Sequence, residues 1–179
     1  MKHFKQFVAV LLAGVMMLAM LTACGSTGSA AVENEILKMV QEVNSNLTND
    51  STLRSVSATA LNEIKDDQIA LSKALSVKTE DSKVQITYVF VEGVNLSIGS
   101  SNLDVQLKPM AYGSTGMPAQ LAVLKASAKA FTKFGVATRV IGDKTYVAVT
   151  VQGSAGSVLD GILNTWAGAY LKQFVGAAQ

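Results

Sequence analysis

The sequence predicts an α+β fold: a single layered domain in which helices pack on a mostly antiparallel sheet in an α-β-α sandwich-like arrangement. Three observations predict it. Apolar residues recur at helical spacing between residues 32 and 64. The apolar period changes to two between 84 and 107, and again between 136 and 151. A helical, nearly all-apolar pattern returns after residue 157.

A leader precedes these elements. Lys2 and Lys5 are followed by an uncharged run, Phe7 to Leu21, which is short for a bilayer span and right for a signal h-region. The run ends in Leu21-Thr22-Ala23-Cys24, with Gly25 and Ser26 next, and these residues resemble the lipobox of bacterial lipoproteins. The resemblance implies cleavage before Cys24, a diacylglycerol thioether on its sulfur and, in many bacteria, a further acyl chain of the palmitate class on its amino group. Thr22 and Ala23 are the small residues such a peptidase accommodates. Two or three acyl chains hold a protein on a membrane far longer than one, since each buried CH₂ contributes roughly 0.8 kcal/mol. The chain is thereby divided into a signal peptide over 1–23, a small uncharged tether over 24–31 and the domain over 32–179.

Val32, Ile36, Met39/Val40, Val43 and Leu47 share one helical face, with Glu33 and Glu35 in the first turn, where acids complement the helix dipole. Thr48-Asn49-Asp50-Ser51 is a turn able to cap a second helix, with the stripe Leu53, Val56, Ala60 and Ile64, ending at Lys65-Asp66-Asp67. Residues 69–78 alternate, but Lys73 breaks the pattern, so strand and helix both stay open. Val84, Ile86, Tyr88 and Phe90 alternate with Gln85 and Thr87; with 94–98 and 103–107 they predict an antiparallel meander ended by Pro109. Pro118 opens a third helix with the stripe Leu121, Leu124, Ala128 and Phe131, stopped by Gly135. Residues 136–141 and 145–151 form a hairpin around Gly142-Asp143-Lys144, and a last helix covers 157–175.

Composition excludes several classes of function. Lys2 and Lys5 lie in the leader, so the 15 basic residues of the chain become 13 after it, against 13 acidic ones. A nucleic-acid binder needs an excess of positive charge, which the body lacks. The only His, His3, is in the leader and the only Cys is Cys24, so disulfides, Cys/His zinc sites, His-based triads and thiol catalysis are excluded from the body. No Gly-x-Ser-x-Gly elbow or Ser-x-x-Lys pair occurs, neither Gly-Ser-Thr-Gly (25–28, 113–116) ends as a phosphate loop does, and no metal or cofactor is implied.

Three patches of the body resemble the CAP superfamily of cysteine-rich secretory, antigen 5 and pathogenesis-related proteins. Glu35 to Asn44 resembles that family's first helix, and Leu47-Thr48-Asn49-Asp50-Ser51-Thr52-Leu53, continuing to Ile64, its entry into the second. Ala111-Tyr112-Gly113 resembles the end of its Gly-Glu-Asn-Ile-Ala-Tyr-Gly motif, and 131–137 with 142–149 its closing strands. Leu107-Lys108-Pro109-Met110 stands where Gly-Glu-Asn-Ile would be, and the body has no His. The resemblance therefore implies a degenerate member that keeps the sandwich, without the metal-binding cleft.

Two sets of residues are candidate contact sites. Lys125, Lys129 and Lys133 lie four apart on the third helix, a pattern that fits a solvated outer face and, as the sharper alternative, an anionic surface. Ile162, Trp166, Tyr170 and Phe174 form an aromatic-rich stripe on a helix that is apolar nearly all round, suited to the core or to a partner or lipid groove. The expected function is that of a non-catalytic, lipid-anchored extracytoplasmic domain binding an envelope protein or a small apolar ligand. The alternatives are a CAP-like ligand-binding module and an enzyme acting on envelope polymers through carboxylates alone. In a one-membrane bacterium the anchor is in the cell membrane; in a two-membrane one, Gly25 rather than Asp after Cys24 favours the outer membrane. Intact mass and detergent partitioning check the anchor: the native protein carries acyl mass and enters the detergent phase, and Cys24→Ala does neither.

Overall fold

The computed structural model describes residues 29–80, 82–98, 103–154 and 156. In chain order the elements are α1 (Ala30–Gln41), α2 (Ser51–Asn62), β1 (Ile69–Ala70), α3 (Leu71–Ala74), β2 (Leu75–Glu80), β3 (Lys83–Val89), β4 (Val91–Ile98), β5 (Leu103–Pro109), α4 (Met117–Ser127), a 3-10 turn (Ala128–Ala130), β6 (Phe131–Ile141) and β7 (Lys144–Ser154). They form an α+β domain with two antiparallel sheets, ordered β2-β3-β7-β6 and β1-β5-β4.

Local chemistry sets the helix ends. The Ser29 hydroxyl accepts from Val32 N and starts α1 at Ala30, two residues before the expected start of the domain. The Asp50 carboxylate accepts from Thr52 N and Leu53 N, both at 3.0 Å, and caps α2 as the turn predicts. The bond from Leu53 N is the main cause holding the Asp50 carboxyl below its usual range. At the other end of α1 the chain leaves the helix after Gln41. Val43 is therefore exposed, while Leu47 still reaches the core from the following turn.

The larger sheet is covered on both faces. On one, Val84, Ile86, Phe134, Val136, Val147, Val149 and Val151 belong to one buried cluster with Ile36 and Val40 of α1 and Leu124 of α4. On the other, Ala60 and Leu61 of α2 share a cluster with Val89, Ala137 and Ala148. Alternation along β6 and β7 thus puts large side chains under α1 and α4, and on the α2 face Gly135, Ala137, Ala148 and Thr150, with Tyr146 the one large exception. At Gly135 an added Cβ would lie 2.4 Å from Arg54 N and 2.5 Å from Leu53 Cβ. The buried stripe of α2 is Leu53, Ser57, Ala60 and Leu61, one position round from the Val56 of the expected stripe, because the small-residue face admits Ser57 to polar partners.

Several expectations are corrected. The alternation from 84 to 107 does not make one meander: the chain changes sheets at Phe90. Phe90 N donates to Val147 O at 3.1 Å and Phe90 O accepts from Met110 N at 2.9 Å; beyond it β4 pairs with β5, with a bulge between Val91 and Gly93. The side-chain period runs on across this change of neighbour, so the pattern cannot mark it. Residues 69–78 are both strand and helix, β1, α3 and β2 in turn. The third helix ends at Ser127, not before Gly135, and β6 begins at Phe131. Lys125 is therefore on α4, Lys129 in the 3-10 turn and Lys133 in β6, and the three share no helix face. Lys125 pairs with Glu42, and Lys133 pairs with Asp50 at 3.7 Å.

Gly135→Ala forces α2 away from β6 and is expected to cost about 1–3 kcal/mol. Gly93→Ala, whose Cβ would meet only Lys108 Cβ at 3.6 Å, costs less. Urea unfolding midpoints of the two variants check the order.

Candidate functional site

A groove of about 280 Å³ lies between α1 and α4, lined by Glu35, Ile36, Lys38, Met39, Glu42, Tyr112 and Leu121. Helical spacing puts Glu35, Lys38/Met39 and Glu42 on one face of α1, and the turn that follows β5 brings Tyr112 beside them. Tyr112 is fixed by its main chain, whose N–H donates to Thr145 O at 2.7 Å. Burial, and then the Glu35 carboxylate that accepts its hydrogen bond, push the Tyr112 hydroxyl up to about 12. Glu42, which is exposed, is held across the groove by Lys125 of α4. The result is an apolar floor of Ile36, Met39 and Leu121 under a polar rim in which Tyr112 engages Glu35 and Lys125 engages Glu42.

Glu35 and Glu42 are two helical turns apart, about 10 Å along the axis. Both stand exposed to water. A glycosidase-like acid and base need water excluded from one carboxyl of the pair.

Two other polar clusters are built into the fold. Ser57 Oγ and Thr150 Oγ1 are 2.8 Å apart, Thr150 Oγ1 and Thr87 Oγ1 are 3.0 Å apart, and Ser57 Oγ donates to Gly135 O at 3.3 Å. All three hydroxyls are buried under α2, so they join helix to sheet and meet no solvent. The second cluster gathers at the β6–β7 end. Lys65 and Gln68 exchange two main-chain hydrogen bonds around Asp66 and Asp67, whose φ values of 50° and 56° are those of a type I′ turn. Asp67 accepts from Lys144 Nζ at 2.9 Å and Tyr146 Oη at 2.7 Å. These bonds, that of Lys144 first, hold its carboxyl below the ordinary value. Burial, and then Asp67, push Tyr146 up to about 12, and Lys144 is raised chiefly by the same carboxylate.

No family model, curated protein or solved structure matches this chain. Among the described residues no group of three or more His, Cys, Asp or Glu side chains could hold a metal, and no helix is long and apolar enough to cross a membrane. Cys24 and the stripe Ile162, Trp166, Tyr170 and Phe174 lie outside the described residues. The groove was not among the sites expected from the sequence. Its one signal there is the amphipathic spacing of 35–42, which does not reveal that residues 112 and 121 complete the wall.

The Asp67 cluster gives stability a pH dependence whose sign follows from the shifts. The lowered Asp67 contributes fully above its unfolded value, about 4, and its contribution is lost as pH falls through its folded one. Tyr146 and Lys144, both raised, contribute fully below about pH 10. Their contribution is lost as pH rises through the folded values, about 12 for Tyr146. Asp67→Asn is expected to shallow the acid limb of a melting-temperature profile and to bring one tyrosine to titrate at lower pH, read by tyrosinate absorbance.

Proposed function

We propose that this protein is a lipid-anchored extracytoplasmic binding domain, held on the outer face of a bacterial membrane through diacylglycerol on Cys24, whose α1–α4 groove receives a small, largely apolar ligand. The observation that carries the reading is the composition of the groove: three apolar side chains on its floor, with Lys38 able to donate from its rim and the Tyr112 hydroxyl oxygen able to accept. Its volume is at the small end for ligand pockets, which suits a single chain or ring. The CAP-like module is a narrower form of the same reading, since two of the resembling patches, 35–44 and 111–113, contribute to this wall. The carboxylate enzyme draws on Glu35 and Glu42 sharing the groove and is the second reading.

Leu121 is half-buried in the wall, so Leu121→Glu places a charge over the floor at little cost to the core. Organic extraction and mass spectrometry of the purified protein are expected to recover an apolar molecule from the wild type and at least tenfold less from Leu121→Glu. A wild type that carries nothing points instead to an envelope protein as the partner. Release of sugars from envelope polymer that is lost in Glu35→Gln supports the enzyme.

A further inference from the structure

If Cys24 is the anchor, the structure also says which way the domain stands. We infer that the end of the domain formed by the turns Lys65–Gln68, 112–115 and Ile141–Lys144 rests against the phospholipid surface, and that the opposite end, where α1 finishes and β7 leaves the sheet, points into the envelope. This inference rests on the lipid-anchor reading and deepens it.

The length of chain between anchor and fold is the first ground. The body begins at Ser29, which is clamped to β6: Ser29 N donates to Thr138 Oγ1 at 2.6 Å, and Ser29 O, 3.3 Å from the same hydroxyl, shares its one proton with Glu33 Oε1. Cys24 is five residues away, so the anchor lies at most about 18 Å from this clamp.

The second ground is the direction of the elements. The N-terminus of α1 stands beside Thr138, and at its other end Asn44 Nδ2 donates to Ala128 O at 3.2 Å and Phe131 O at 3.0 Å. Helix α1 therefore runs antiparallel to β6, and Phe131 is about 23 Å along the strand from Thr138. Gly153 pairs with Phe131, so the chain leaves β7 at that far end as well. In the other direction β6 continues past Thr138 to the turn at Gly142 and Asp143, about 13–16 Å beyond the clamp and within reach of the tether. Asp67 bound to Lys144 and Tyr146, and Tyr112 N bound to Thr145 O, bring the other two turns to the same end.

Charge does not select the end. This end carries Lys65, Arg139 and Lys144 against Asp66, Asp67 and Asp143, so it has no net attraction for anionic headgroups. The acyl anchor and its short reach, rather than surface charge, hold it down, and the arrangement is insensitive to salt.

The test uses the full-length lipidated protein in phosphatidylcholine/phosphatidylglycerol vesicles. Thioether formation consumes the one native thiol, so an introduced Cys is the only labelling site. Asp143→Cys and Ser45→Cys, both at exposed turns and at opposite ends, each receive a fluorophore, and the vesicles carry a quencher on the lipid headgroup. Quenching is expected to be several-fold stronger at 143 than at 45, and the same at low and physiological ionic strength. Equal or reversed quenching in protein whose intact mass shows the acyl chains overturns the orientation alone. An order that vanishes with salt overturns the mechanism of holding. Protein with no acyl mass overturns both the orientation and the anchor reading beneath it.

Discussion

The carboxylate of Glu33 is buried, yet it is bound from three parts of the chain at once. Arg54 of α2 meets it in a fork, with Nε on Oε2 at 2.7 Å and Nη2 on Oε1 at 3.0 Å. Thr138 of β6 donates both its N–H, at 3.1 Å, and its hydroxyl, at 3.2 Å, to Oε1, and Asn49 Nδ2 approaches Oε2 at 3.5 Å. A buried charge of this kind is tolerated only when each lone pair finds a donor, and here the donors come from the elements that have to be joined. Asn49 extends the junction by accepting from Val136 N and donating to Val136 O, and Asp50 N donates to Phe134 O. The start of α1, the link before α2 and the middle of β6 are thereby fixed in one place. Arg54 keeps about half its side chain in water, which lowers the desolvation cost of the pair.

That junction sets the position of α2, and the composition of the sheet allows α2 to lie close. A helix can approach backbone only where side chains are small, and under α2 the sheet shows Gly135, Ala137, Ala148 and Thr150. Ser57, wholly buried, would be costly on such a face without partners, and Thr150, Thr87 and Gly135 O supply them. The opposite face has valines and phenylalanines and therefore keeps α1 and α4 farther off. A groove can open between two such helices because their contact with the sheet runs through long side chains, and Glu42 with Lys125 spans the gap at its rim.

Features set within a few residues were legible in the sequence. Asp50 capping α2, Pro118 in the first turn of α4, the Gly142-Asp143 turn and the alternation of β3 and β7 all depend on near neighbours. Features set by distant chain were not. Phe90 looks like one more inward-facing strand residue, and only its bonds to Val147 and Met110 move the chain to a second sheet. Leu124, Ala128 and Phe131 keep helical spacing and all reach the same core cluster, although the chain passes from α-helix through a 3-10 turn into β6 as it does so. Spacing records which side is buried, and here two kinds of backbone bury the same side. The groove was hidden for the same reason: its two walls are about eighty residues apart in sequence.

The clamp and the groove both lie along α1. Ser29 is held at the end inferred to face the bilayer, Glu35 comes six residues later, and Glu42 about 20 Å from the clamp at the helical rise. On that orientation the groove begins above the clamp and runs outward along the helix, away from the lipid. Tyr112 and Glu35 stand at its inner end, and the Met39 and Leu121 floor follows. Glu42 and Lys125 close the outer end. The same twelve-residue helix therefore carries the Ser29 clamp at one terminus and forms a wall of the candidate groove along its flank. Helix α1, whose place in the fold is held by the Glu33 carboxylate, thus joins the clamp at Ser29 to the wall of the groove.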